Sequence, residues 1–300
     1  MNQWFSPSGE HTATAQIGVF DSGVGGLTVL RELRRQLPDE SILYFGDTAR
    51  LPYGTRSASD ILYFVRQILT WMMERQVKMV IMACNTSSAL ALEQVQQEFP
   101  IPILGLIHPA GRAAASVGRR IGVIATPATI ASDAYRQAIL EANAHCRVWQ
   151  VACPQFVPLI EQNHIHSPQT RRIARNYLAP LVTAHVDTLV YGCTHYPHLA
   201  PVLESLLPST MTYIDPAVHL VAAAAKELDI LGLRRDGFPL PTQFYVSGQP
   251  QSFTGLATQW LQEPITVQQI KLPAIPPTIT PAFLGEAGKN GEQLSKSINP

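Results

Sequence analysis

Short, continuously apolar runs recur along this chain with helix-period segments between them, and that alternation restricts the fold more than any single motif. The runs are Ile17–Phe20, Ile42–Phe45, Met79–Ala83, Ile103–Ile107, Ile121–Ala125, Val148–Ala152, Thr188–Tyr191, Met211–Ile214 and Phe244–Val246. A strand that is apolar on successive residues is buried on both faces. Between the runs lie segments such as Ser57–Arg75, where Ile61, Val65, Ile68, Leu69 and Met72 form one stripe of a helix. Strands and helices alternating in this way predict an α/β fold, with parallel sheets joined by right-handed crossovers. Helix-start signals agree: Ser57 precedes Asp60 by three residues, and Thr126-Pro127 and Ser167-Pro168 each set an N-cap before an N1 proline.

The pattern also repeats once. Ile17-Gly18-Val19-Phe20 returns as Ile121-Gly122-Val123-Ile124, an offset of 121 − 17 = 104. Later in each half a buried run ends in a cysteine followed by polar residues, Cys84-Asn85-Thr86 and then Cys193-Thr194-His195, an offset of 193 − 84 = 109. Near-equal offsets predict two similar lobes, each presenting one thiol at the carboxyl end of a strand, where open α/β sheets bind ligands. The alternative is a coincidence between two ordinary buried strands.

Composition removes several functional classes. Of 300 residues, 46% are hydrophobic and 15% charged, against about 25% charged in an average soluble chain, so a compact globular protein is expected. Lys+Arg 22 balances Asp+Glu 22, which leaves no electrostatic footprint for nucleic acid or anionic lipid. No apolar run reaches the roughly 18 residues of a membrane-spanning helix, and the first ten residues have neither a basic nor a continuous apolar region, so a cytoplasmic protein is expected. The four cysteines, Cys84, Cys146, Cys153 and Cys193, include no CxxC pair and are read as free thiols. Cys146 and Cys153 flank an apolar run and are expected to be core residues. The tail from about Leu272 is rich in proline, then in Gly, Lys, Asn, Glu and Ser, and residues 1–16 carry no pattern; both ends are expected to be flexible or loosely draped.

Asp21-Ser22-Gly23-Val24-Gly25-Gly26, after a strand and opening a helix, approaches a dinucleotide fingerprint but fails it, since the third glycine would fall at Thr28. What remains is a glycine-rich turn whose N–H groups could cradle a small anion, or a tight turn with no ligand. A carboxylate at Asp21 beside such a turn costs desolvation unless it has work to do. Pro52-Tyr53-Gly54 after Gly46-Asp47-Thr48 is, by itself, a turn. Cys193-x-His195-x-x-His198 lacks a fourth metal ligand at a normal spacing, and Pro197 interrupts the helical phase, so His195 is better read as a hydrogen-bonding neighbour of the Cys193 thiol. Glu161 ends an apolar segment and could be a simple surface acid. None of the five lysines has a Schiff-base context, so no pyridoxal cofactor is expected.

Two thiols on opposite sides of a small ligand form the geometry a cofactor-independent racemase needs. One base removes the Cα proton from one face while a conjugate acid supplies a proton to the other. Cysteine, with an ordinary pKa near 8.5, can serve in both forms near neutrality, and like-charge repulsion opposes two thiolates at once.

At these residues the chain resembles the glutamate racemases of the aspartate/glutamate racemase superfamily. The likeness runs through Phe20-Asp21-Ser22-Gly23-Val24-Gly25-Gly26, Gly46-Asp47-Thr48, Pro52-Tyr53-Gly54, Ala83-Cys84-Asn85-Thr86 and Gly192-Cys193-Thr194-His195-Tyr196-Pro197, over roughly residues 17–215. The resemblance implies cofactor-independent interconversion of L- and D-glutamate, supplying D-glutamate to peptidoglycan, in two pseudo-symmetric lobes with the active site in the cleft between them. Lobe 1 would be residues 17–108 plus 216–270, carrying Asp21 and Cys84; lobe 2 would be residues 109–215, carrying Glu161, Cys193 and His195; residues 1–16 and 271–300 would be extensions. By the same resemblance Cys84 acts on the D-enantiomer and Cys193 on the L-enantiomer. Asp21, Ser22, Tyr53, Gly54, Asn85, Thr86, Thr194 and His195 hold the substrate, and Asp21, Glu161 and His195 assist proton transfer. No metal is implied, and a homodimer is compatible with it. Two other readings stay open: an aspartate or hydantoin racemase with the same cysteine pair, and an amino-acid-binding protein with passive thiols.

Overall fold

The computed structural model describes residues 12–274. Ten strands, β1 (Ile17–Asp21), β2 (Ile42–Gly46), β3 (Met79–Met82), β4 (Ile103–Gly105), β5 (Arg120–Ala125), β6 (Arg147–Ala152), β7 (Thr188–Gly192), β8 (Thr212–Ile214), β9 (Gln243–Val246) and β10 (Val267–Gln269), form two sheets. The first runs β10-β9-β2-β1-β3-β4 and the second β6-β5-β7-β8, and every pairing is parallel. The inner order β2-β1-β3-β4 of the first sheet matches β6-β5-β7-β8 of the second, so the sequence repeat is a repeat of strand order. Cys84 follows β3 and Cys193 follows β7, which hold the same place in their sheets.

Each of the nine apolar runs contains a strand, although the run Ile103–Ile107 leaves its strand after Gly105 and enters a helix at Ile107. β1, β2, β3 and β7 are buried at every residue, as continuous hydrophobicity requires when helices cover both faces. β10 was not anticipated: Val267-Gln268-Gln269 is a partly exposed edge strand with no apolar run to announce it. The helix Ala58–Met73 buries the predicted stripe, and the Ser57 hydroxyl accepts from Asp60 N–H at 3.1 Å. Ser167 caps the helix Pro168–Thr183 in the same way. Thr126 departs from expectation. It precedes the helix Pro127–Ala131 but makes no capping bond, because its hydroxyl is engaged elsewhere.

Cys146 and Cys153 are buried free thiols. At the ends of the described chain, the carbonyls of Ala13 and Thr14 accept from Lys78 Nζ at 2.7 Å and Arg235 Nη1 at 2.8 Å, and that of Pro273 from Gln67 Nε2 at 2.6 Å. The remainder of the two expected extensions, residues 1–11 and 275–300, lies outside the described residues. No helix among the described residues is long and apolar enough to cross a membrane.

Candidate active site

Strand carboxyl ends of both sheets converge on one cavity of about 350 Å³, at the lower end of the range usual for small-ligand sites. Its lining takes Asp21 and Ser22 from the end of β1, Tyr53 and Gly54 from the turn beyond β2, Cys84, Asn85 and Thr86 from beyond β3, and Cys193, Thr194 and His195 from beyond β7; Glu161 completes it from the short helix Phe156–Glu161. Every candidate residue named from the sequence is therefore at this cavity. The rest of the wall is largely rigid and apolar, with Leu51, Pro52, Pro127, Pro154, Val157 and Pro158.

The two thiols have different surroundings. Cys84 stands at the N-cap of the helix Asn85–Glu98, with its Sγ 3.9 Å from Ser22 Oγ. Burial, together with the Asp21 carboxylate nearby, pushes this thiol up to about 12, outweighing the Ser87 hydrogen bonds that favour the thiolate. Cys193 Sγ lies 3.8 Å from His195 Nδ1, and His195 Nε2 lies 3.0 Å from Glu161 Oε1. Burial works against the imidazolium, but the bonds to Cys193 and Glu161 outweigh it and push His195 up to about 10.

The raised His195 value makes the stability of the fold depend on pH. The folded value lies above the ordinary 6.5, so the imidazolium's contribution to stability is complete below about pH 6.5 and is lost as pH rises through about 10. In urea unfolding, the stability advantage of the wild type over His195→Asn is expected to shrink between pH 7 and 10. A constant difference across that range would mean that His195 is not a cation in the folded protein.

Asp21 explains the glycine turn. Its Oδ2 accepts from Gly23 N–H at 2.9 Å, and the N–H groups of Gly26 and Ser22 stand near enough to favour its charged form. The turn therefore cradles the chain's own carboxylate, which corrects the expectation of an anion site for a ligand there. Burial raises Asp21 above the usual carboxylate range, and His195 and these N–H groups pull it back in part. Oδ1 is buried and has no partner. The glycines are required by close approach: a methyl on Gly26 would lie 2.6 Å from Asp21 Cβ and 2.8 Å from the Tyr44 hydroxyl.

Tyr53 is held from behind by a buried Asp47, whose Oδ2 accepts from the Tyr53 hydroxyl and pairs with Arg50 Nε at 2.7 Å, while Oδ1 accepts from Ser247 Oγ at 2.7 Å. Sequence reasoning missed Thr126 and Thr129. The hydroxyls of Thr86, Thr126 and Thr129 lie 3.0 to 3.2 Å apart, and a methyl on Gly54 would meet Thr126 Cβ at 2.9 Å, so the two sheet units touch here across the cavity wall. The repeat carried the signal for Thr126, since 126 − 22 = 104 makes it the counterpart of Ser22. His198 packs at a tilt against Trp260, with ring centroids 3.9 Å apart, and among the described residues no group of three His, Cys, Asp or Glu is placed to hold a metal.

The family model of the Asp/Glu/Hydantoin racemases matches residues 17–226. The chain belongs to this family. Racemases are isomerases, and so is this one. It is 62% identical over 264 residues to the glutamate racemase of Trichodesmium erythraeum, covering 88% of this chain and 98% of that one. Among solved structures, glutamate racemase isoform RacE1 of Bacillus anthracis superposes with a TM-score of 0.84 at 37% identity, over 87% of this racemase and 99% of that chain. The glutamate racemase of Francisella tularensis, solved in complex with D-glutamate, superposes with a TM-score of 0.82 at 34% identity, over 86% and 98%.

Proposed function

We propose that this racemase interconverts L- and D-glutamate by a two-base mechanism on Cys84 and Cys193, without a cofactor, in a cleft between lobes spanning residues 17–108 plus 216–270 and 109–215. The observation that carries the reading is the placement of two thiols beyond equivalent strands, β3 and β7, on one cavity. Close similarity to glutamate racemases, one of them solved with D-glutamate, supports glutamate as the substrate.

In the L-to-D direction Cys193, as thiolate, takes the Cα proton. The C–H electron pair passes into the adjacent carboxylate as an enediolate, and the Cys84 thiol gives its proton to the opposite face. One S–H bond forms at Cys193 as one breaks at Cys84, so the enzyme ends with the reverse protonation and the D-to-L direction runs the steps backwards. The environments suit these roles. Cys84, pushed up to about 12, rests as an acid, and the His195 cation stands beside the sulfur that must carry negative charge. Glu161 orients His195, Asp21 is the acid–base partner nearest Cys84, and Ser22, Tyr53, Gly54, Asn85, Thr86 and Thr194 hold the substrate. Such an enzyme would supply D-glutamate for peptidoglycan from the cytoplasm.

The test is circular dichroism of the purified protein with L-glutamate, D-glutamate and L-aspartate in turn, with EDTA and no added cofactor. The signal is expected to decay to zero from both glutamate enantiomers and to persist with aspartate. Decay with aspartate alone would move the assignment to an aspartate racemase, and loss of glutamate turnover in EDTA with recovery on adding zinc would overturn the metal-free mechanism.

A further inference from the structure

Asn85 is the first residue of the helix after Cys84, is 2% exposed and lines the cavity. Its Oδ1 accepts a hydrogen bond of 2.6 Å from the hydroxyl of Tyr135, and its Nδ2 is buried with no partner in the chain. Tyr135 does not line the cavity. It is completely buried on the helix Ala134–Ala142, and its ring packs against Gly192, where a methyl would come within 3.2 Å of Cε2. Gly192 immediately precedes Cys193. One tyrosine thus touches the backbone that leads into one thiol and holds the side chain that follows the other.

The orientation of the amide follows from counting donors. The Tyr135 hydroxyl has one proton, and Asn85 is its hydrogen-bond partner. With the amide turned over, Nδ2–H would point at the hydroxyl oxygen and the phenolic proton would be left buried without an acceptor. Burial holds the phenol well above its ordinary range, so that proton is present at any working pH. The bonded arrangement leaves both Nδ2 protons for a ligand.

We infer that Tyr135 is a positioning residue for substrate binding, fixing the Asn85 amide so that its N–H donors and not its oxygen serve the cavity. The inference rests on the reading of Asn85 as a residue that holds the substrate. Each carboxylate of glutamate presents only acceptors, so opposite either of them an inverted amide would set Oδ1 against a carboxylate oxygen.

Tyr135→Phe keeps the ring against Gly192 and removes only the donor. It is expected to raise KM for both glutamate enantiomers by about five- to tenfold, the worth of one well-placed hydrogen bond, with kcat changed by less than about twofold. Asn85→Ala raises KM by itself, and adding Tyr135→Phe to it brings no further rise, because the group being positioned is gone. An equal further rise in the Asn85→Ala background would assign Tyr135 to general packing and overturn the inference, as would an unchanged KM in Tyr135→Phe alone. An unchanged KM in Asn85→Ala would instead sink the reading of Asn85, and the inference with it, whereas absence of turnover in the wild type would sink the glutamate reaction itself. Asn85→Asp covers the case in which Tyr135→Phe does not fold: it keeps an acceptor for Tyr135 and lacks the donor, so KM rises, and an unchanged KM overturns the inference.

Discussion

Cys84→Ser and Cys193→Ser are each expected to lower kcat for racemisation by at least about a thousandfold, within the range for losing a positioned acid or base. Serine preserves the shape of the site, but an alcohol is too weak an acid to exchange a Cα proton at this rate. The double variant should be little slower than either single one, because the two thiols act as a unit. Both enantiomers have the same free energy, so kcat/KM must fall equally in the two directions whichever thiol is removed. The hand of the reaction shows instead in exchange with heavy water. Cys84→Ser retains Cys193 and should place deuterium into L-glutamate faster than it racemises it, whereas Cys193→Ser should do so with D-glutamate. Near-parental turnover in either variant would end the two-thiol mechanism, and exchange into the opposite hands would reverse the assignment of the thiols.

Gly25→Ala should lower kcat/KM by about a hundredfold or more, although Gly25 carries no chemistry. A methyl there would lie 2.6 Å from Thr194 Oγ1 and closer still to His195 Nδ1. Gly25 is held from its other side, since its carbonyl accepts from Thr28 Oγ1 at 3.0 Å and the same hydroxyl reaches the Thr194 carbonyl at 3.2 Å. The backbone cannot retreat easily, so the imidazole must move, and its contacts with Cys193 and Glu161 go with it. His195→Ala removes the nearer obstacle and leaves the Thr194 hydroxyl in the methyl's way. Gly25→Ala added to His195→Ala should therefore cost clearly less than Gly25→Ala does in the parent enzyme, with both proteins still giving a cooperative melt. A Gly25→Ala enzyme with near-parental rate would show that His195 is not held at this position during turnover.

Much of this site is visible in the linear chain because parallel α/β folds place their chemistry at strand carboxyl ends. Continuous apolar runs locate those strands, and the residues that follow them, Asp21, Cys84 and Cys193, line the cavity. Partners brought in by tertiary contact are not visible in that way. Nothing local ties Tyr135 to Asn85, fifty residues earlier, or Ser247 to Asp47. Thr126 shows a different failure: its position before Pro127 is a capping signal, but contact with Thr86 and Thr129 claimed the hydroxyl. The glycine turn after β1 carried the right inference, that an anion needs those N–H groups, with the wrong owner, because a short loop can fold back on the carboxylate that begins it. β10 escaped because an edge strand has no two-sided burial to write into its residues.

The first sheet is interrupted in sequence. β1 to β4 are complete by Gly105, but β9 joins β2 only through residues about two hundred positions later, with Tyr44 opposite Phe244. On the ribosome, the four strands of the second sheet are all made before that partner exists. Loop closure over such a separation is slow, and an unpaired β2 edge is open to wrong partners meanwhile. Asp47 likewise waits for Ser247, so the turn carrying Tyr53 is secured only after the whole second sheet has been made. A nascent chain stopped before Gln243 would hold both cysteines and still lack a finished site, so maturation of activity waits for residues made after both thiols.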